Sequence, residues 1–249
     1  ERMPDVYRFF LGKPFADTLE VTGQDAHHMG HVLRMKVGDE VQIVSLDQIA
    51  AVMKITAFSK DAVTLETVRI LEENHEPTVR VTLYQGLPKQ DKMEWIIQKA
   101  IELGISEIQP VSMAHCVVRL DEGKTAKKLE RWQKIAEAAA KQSKRDIVPV
   151  IKAPLPVALA LTSCEADLKL MAYEVEEEGS LRRTLQKTPD AKSIALLIGP
   201  EGGISGDEFD LAAAHDWQSV SLGPRILRTE TAALAALAAI QYETGNLGG

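Results

Sequence analysis

The chain has 249 residues, 45% of them hydrophobic, which suffices for one large core or for a small domain joined to a larger one. A formal net charge of −7 excludes a protein that coats nucleic acid by bulk electrostatics, so any RNA contact has to come from a local patch. No apolar run approaches bilayer length, Glu1-Arg2-Met3-Pro4-Asp5 is too polar for a signal peptide, and Cys116 and Cys164 form no C-x-x-C pair; a soluble, cytoplasmic chain without disulfide stapling is expected.

Residues 1–73 carry short segments rich in β-branched and aromatic residues. They predict strands over Val6–Leu11, Val41–Ser45, Ala50–Ala57 and Ala62–Ile70, separated by turn signals at Gly38-Asp39 and Ser59-Lys60-Asp61. This pattern predicts a small all-β domain, a barrel. Between its strands, Gly23–Met35 predicts a short helix with Val32 and Leu33 turned inward. His27 and His31 are four apart and share a helical face, but no carboxylate or cysteine pattern completes a metal site. These histidines, with His28 and Arg34, are read as a surface group, and no metal is expected.

A polar stretch, Glu72 to Pro77, reads as a linker, and residues 74–249 follow as a second domain. Strands are predicted over Val79–Leu83, Ile105–Val111, Leu168–Tyr173, Ser193–Ile198 and Ser219–Leu222. Helices are predicted over Lys92–Leu103, Lys124–Lys144, from Ser205, and over Thr229–Tyr242. Alternating strands and helices imply an α/β layer with a mostly parallel sheet. On the helix from Lys92, Trp95 and Ile96 are read as core. On the long helix, Lys127, Arg131, Lys134, Lys141 and Arg145 recur on one face, either a solvated stripe balanced by Glu130 and Glu137 or a phosphate-binding patch.

Two segments carry the sharpest signals. The first is Ile198-Gly199-Pro200-Glu201-Gly202-Gly203, a buried-type strand running into a glycine loop; Ser205 and Glu208 then have capping-box spacing. Open α/β sheets bind ligands at such strand ends, yet the loop matches neither the dinucleotide fingerprint nor the phosphate loop. The second is Leu222-Gly223-Pro224-Arg225-Ile226-Leu227-Arg228-Thr229-Glu230-Thr231-Ala232, a tight turn with two arginines at a helix start. Glu230 there has a purely structural alternative, favourable placement at the positive end of the helix dipole.

These two segments together resemble the SPOUT methyltransferases of the ribosomal RNA small subunit methyltransferase E family. Arg8-Phe9-Phe10, His31-Val32-Leu33-Arg34, Lys92-Met93-Glu94-Trp95-Ile96-Ile97-Gln98-Lys99, Glu102-Leu103-Gly104 and Gln142-Ser143 with Arg145 extend the resemblance over nearly the whole chain. Two positions depart from it: Met113-Ala114-His115-Cys116 stand where the family usually has an arginine, the nearest here being Arg119, and Lys141 replaces a commonly acidic residue.

The resemblance implies a PUA-like β-barrel followed by a SPOUT α/β domain with a carboxyl-terminal trefoil knot, acting as a homodimer that methylates N3 of a uridine in 16S rRNA, in the small ribosomal subunit. It implies that S-adenosylmethionine is held by Ala172, Tyr173 and Glu174, by Ile198, Gly199, Pro200, Gly202 and Gly203, and by Leu222, Gly223, Ile226 and Leu227. Arg228 is the expected stabiliser of negative charge on the uracil, with Glu230 or Glu201 as proton acceptor. Arg8, His28, Arg34, Lys89, Lys92, Arg131, Arg145 and Arg225 are the expected RNA contacts, Lys99 a weaker one, and the paired or stacked base is expected to be extruded into the pocket. A SPOUT enzyme acting on tRNA or on a ribose hydroxyl is the nearest alternative, a non-catalytic RNA-binding protein of the same fold the next.

Overall fold

The computed structural model describes residues 6–72, 74–118, 122–173 and 179–248. They divide into two compact units, the first reaching to Glu76 and including Ala140–Val148, the second comprising Pro77–Ala139 and Pro149 onward. The segment 140–148, which the chain-order division puts with the second domain, thus packs with the first.

In the first unit, β1 (Arg8–Phe10), β2 (Thr18–Thr22), β3 (Glu40–Val44), β4 (Ala50–Phe58) and β5 (Ala62–Ile70) form one sheet in the order β1-β3-β4-β5-β2. Only the β1–β3 pair is parallel. β2 escapes sequence reading because its alternation hides just two side chains, Leu19 and Val21. Those two join Phe9, Met29, Val41, Ile43, Met53, Ile55 and Leu65 in one core. Register shifts in the β4–β5 ladder bend the sheet. Among the described residues β1 and β2 do not pair with each other, so the expected barrel is hydrogen-bonded as an open five-stranded sheet.

The helix expected over Gly23–Met35 is shorter and changes type. α1 (Gly23–His27) passes directly into a π-helical turn, His28–Val32, in which the Leu33 N–H donates to the His28 carbonyl at 2.9 Å. The wider turn rotates the buried face relative to an α-helix. Met29 therefore points into the core, Leu33 packs against it, and Val32, expected inward, is 62% exposed.

A buried ionic network ties this unit together. The Arg8 guanidinium meets Asp146 at 2.5 Å, and the backbone N–H of His75 donates to the same carboxylate at 2.6 Å. Arg145 grips Glu76 through two nitrogens, at 2.6 and 3.0 Å. Arg8 and Arg145 are only 7% and 3% exposed. Burial pulls the Arg8 guanidinium below its usual range, against the opposing pull of Asp146.

The second unit contains β6 (Arg80–Gly86), α2 (Lys92–Glu102), β7 (Glu107–Ser112), α3 (Glu122–Gln142), β8 (Val150–Ile151), β9 (Leu155–Pro156) and α4 (Val157–Thr162). β10 (Leu168–Ala172), α5 (Leu181–Lys187), β11 (Ser193–Ile198), α6 (Gly206–Ala213), β12 (Trp217–Val220) and α7 (Thr229–Glu243) complete it. The sheet runs β12-β10-β11-β6-β7-β8, with β9 also on β7, and every pair is parallel. β11 reads Ser-Ile-Ala-Leu-Leu-Ile with its last five residues buried, as a strand covered on both faces must. Ile96 is fully buried on α2, whereas Trp95, expected in the core, is 47% exposed. Among the described residues no helix is long and apolar enough to cross a membrane.

Candidate functional site

Parallel register brings the chemistry to one edge. Ala172 on β10 pairs with Ile198 on β11 and Val220 on β12, and Ile198 pairs with Gln85 on β6. These four residues form a row at the carboxyl ends of adjacent strands. The segment from Tyr173, the loop Gly199–Ile204 and the turn Ser221–Leu227 all leave from that row, at the edge where parallel sheets place ligands. Glu174 lies outside the described residues.

The glycine loop and the start of α7 after the second turn, distant in sequence, are joined by one hydrogen bond, which Gln85 supports from β6. The Thr229 hydroxyl, at the start of α7, donates to the Gly199 carbonyl at 2.7 Å and accepts from the Gln85 side-chain amide at 2.9 Å. Gln85 also donates to the Gly86 carbonyl at 2.9 Å, and both Gln85 and Thr229 are buried. Gln85 had no motif to betray it: it lies inside a strand, and only the register aims it at Thr229.

Packing explains two of the glycines. A side chain on Gly86 would sit 2.6 Å from the backbone nitrogen of Pro200, and one on Gly202 would sit 2.7 Å from the His115 Cβ. The loop therefore lies directly on the ends of β6 and β7. The capping box at α6 is present, and its Glu208 carboxylate also accepts from the Ala114 N–H at 2.7 Å. Met113–Cys116, where the chain departs from the family pattern, thus serves as a buttress for the glycine loop. Arg119 lies outside the described residues.

The charged groups sort into paired and unpaired. The Lys92 ammonium stands 3.0 Å from Glu201 on the glycine loop and 3.3 Å from Glu230 in the first turn of α7. The Glu230 oxygen is close enough for an ion pair but is not aligned for a hydrogen bond. Burial alone would raise the Glu201 carboxyl; hydrogen bonds from Lys92 and from backbone N–H groups, including that of Lys89, outweigh it and hold the group below the usual carboxylate range. The same pairing, with Glu201 foremost, raises the Lys92 ammonium.

Arg225 and Arg228 are exposed, and among the described residues neither has an ion-pair partner. Ile226 between them is 87% exposed.

Most cations expected to meet RNA are engaged elsewhere. Arg8 and Arg145 are buried in the network with Asp146 and Glu76, so neither faces a ligand. Arg131 pairs with Glu94 at 2.7 Å, Lys134 with Glu130 at 2.7 Å and Lys99 with Glu102 at 2.8 Å. Of the stripe, Arg131, Lys134 and Lys141 thus face carboxylates, while Lys127 is exposed. Lys89 contributes its backbone N–H to Glu201. His28 meets the edge of Phe9, with ring centres 5.9 Å apart, and Arg34 is exposed with a positive φ of 54°. Among the described residues no cluster of three or more histidine, cysteine or acidic side chains is arranged to hold a metal ion.

Comparison with known proteins identifies the family. A family model described as an RNA methyltransferase domain matches residues 74–241, and one described as an RNA methyltransferase PUA domain matches 21–68. The ribosomal RNA small subunit methyltransferase E of Bacillus subtilis (strain 168) is 40% identical, covering 94% of this chain and 93% of its own. The enzyme of the same name from Mycobacterium bovis is 33% identical, covering 88% and 84%. A crystal structure of a ribosomal RNA small subunit methyltransferase E from Neisseria gonorrhoeae, bound to S-adenosyl methionine, superposes with a TM-score of 0.84 at 30% identity, covering 95% of this chain and 97% of its own. By sequence along nearly its whole length and by the fold of both units, the chain belongs to the ribosomal RNA small subunit methyltransferase E family.

Proposed function

We propose that the protein is an S-adenosylmethionine-dependent methyltransferase that methylates N3 of a uridine in 16S rRNA. The observation that carries this reading is the single row of strand ends at which the segment from Tyr173, the glycine loop and the arginine turn meet. The residues present fit the cofactor. Gly223 borders open space at that edge, whereas the space beside Gly199 is taken by the loop's own Ile204, and Ile226 and Leu227 supply apolar surface with backbone N–H groups that have no acceptor among the described residues. When bound, S-adenosylmethionine supplies an electrophilic methyl group.

The protein's own residues place the acceptor base and manage charge. Arg228, exposed and unpaired beside the clasp, stabilises the negative charge that uracil acquires as N3 loses its proton. Glu230, whose oxygen near Lys92 accepts no aligned hydrogen bond, is the proton acceptor. Glu201, held ionised by Lys92, is the weaker base and keeps the glycine loop in place. Arg225 holds a phosphate of the substrate. The enzyme works in the cytoplasm on the small subunit as a homodimer, with its carboxyl-terminal segment threaded as a trefoil knot. Supporting the threading, the strand-end segment at Ser180 pairs with Ser221, while the start of α7 is tied back to Gly199.

The experiment is mass spectrometry of 16S rRNA from a gene-deletion strain. Loss of 3-methyluridine, restored by the wild-type gene and poorly restored by Arg228→Ala, is expected. An unchanged 16S rRNA with an altered tRNA rejects the reading.

A further inference from the structure

We propose that Lys92 is a positioning residue for the methyl-transfer step: its ammonium, shared between Glu201 of the glycine loop and Glu230 of α7, holds the base in register with the donor's loop. This rests on the methyltransferase function proposed above, in which Glu230 accepts the uracil proton, and adds a residue that acts through it.

The three groups come from three elements and meet at one nitrogen. Lys92 opens α2, directly after the loop that leaves β6, Glu201 sits on the loop after β11, and Glu230 lies in the first turn of α7. The ammonium stands 3.0 Å from the Glu201 carboxylate and 3.3 Å from that of Glu230. Among the described residues it meets no other carboxylate, and neither glutamate meets another cation. All three side chains are largely buried, so solvent screens their attraction less than it would at an open surface.

Helix stability does not explain the lysine. A cation in the first turn opposes the positive end of the helix dipole, and Asp91 before it makes no side-chain capping bond. Residues that break a local rule of this kind concentrate at functional sites. Phosphate binding does not explain it either, because two carboxylates already take up its charge and, Glu201 foremost, raise the ammonium above its usual range. What the bridge supplies is placement. Lys92 is nearer Glu201 and out of line with Glu230, whose buried Oε2 accepts no hydrogen bond. The base is thus held by charge, with the hydrogen-bonding capacity of that oxygen unspent.

Single-turnover methylation of small ribosomal subunits from the deletion strain, by the full chain with saturating S-adenosylmethionine, reads the chemical step. Lys92→Met keeps the side chain's bulk and removes its charge; a rate lower by on the order of a hundredfold is expected from misplacement of the base. Calorimetric affinity for S-adenosylmethionine at neutral pH should be unchanged, which also certifies folding. Lys92→Arg should recover most of the rate. Glu230→Gln alone and Glu230→Gln with Lys92→Met should be equally slow, as residues that act as a unit are. Without the ammonium, two carboxylates share one site and one of them keeps its proton to higher pH, so the acid limb of the rate should move upward in Lys92→Met. Binding to the subunits across a salt series should keep its slope, whereas loss of a phosphate contact would reduce it by about one. A Lys92→Met variant as fast as wild type, additive losses in the double variant, or a reduced salt slope overturns the proposal, while methylation by the wild type still upholds the functional reading. If the wild type binds the subunits and the donor but methylates no uridine, the functional reading falls and the proposal with it.

Discussion

Replacing Thr229 with valine tests the clasp at its centre. The shape is kept and only the hydroxyl is lost, together with its 2.7 Å bond to the Gly199 carbonyl and its 2.9 Å bond from Gln85. Gln85 keeps one acceptor, the Gly86 carbonyl, and the Gly199 carbonyl lies where water can partly replace the lost donor. A buried polar group left unpaired costs about 1–3 kcal/mol, so one partly rescued carbonyl and one half-satisfied amide together predict about 1–3 kcal/mol. Each kcal/mol lowers the unfolding temperature of a protein this size by roughly 2–4 °C. Scanning calorimetry should therefore show a loss of several degrees. Titration calorimetry with S-adenosylmethionine should show weaker binding, because the freed α7 start no longer holds the glycine loop. Thr229→Ser retains the hydroxyl and should restore most of both. If the valine variant melts and binds like wild type, the Thr229 hydroxyl does not hold the pocket and the reasoning fails.

Gly86→Ala drives a methyl group to 2.6 Å from the Pro200 backbone, which cannot swing aside as a flexible side chain would. A loss of about 1–3 kcal/mol with weakened donor binding is expected, read by the same two calorimetric measurements. Arg8→Met leaves Asp146 buried without its strongest partner and should cost about 3–5 kcal/mol, measured by denaturant unfolding in the absence of RNA. An unaffected melt with weakened RNA binding would instead return Arg8 to the RNA contacts. The pH dependence of the glycine loop follows from Glu201. Its carboxyl is depressed on folding, so its stabilisation is present above the ordinary carboxylate value of about 4.3 and is lost as pH falls through the lower folded value. Donor affinity should hold from neutral pH down to that region and then fall, and Lys92→Met should move the fall to higher pH.

Much of the fold was legible because it is written in local patterns. The strand Ser193–Ile198 is a continuous apolar run, the helix Lys92–Glu102 has one apolar face, and Ser205 with Glu208 announces a helix start; each was read nearly to the residue. Short elements such as β2, β8, β9 and α4 bury too few side chains to stand out from their surroundings. The two glycine turns were visible for the same local reason, since tight turns require particular residues wherever they occur in space.

Charge partners were not legible. A row of lysines and arginines on a helix has the same spacing whether it awaits phosphates or already meets carboxylates, and Arg8 finds Asp146 from 138 positions away. Coulomb attraction depends on distance in space, which periodicity does not encode. Tertiary structure alone therefore decided that Arg8 and Arg145 hold the first unit together, that Lys92 binds Glu201 and Glu230, and that Gln85 joins the clasp. It also left Arg225 and Arg228 open to a ligand, because no carboxylate among the described residues is folded against them.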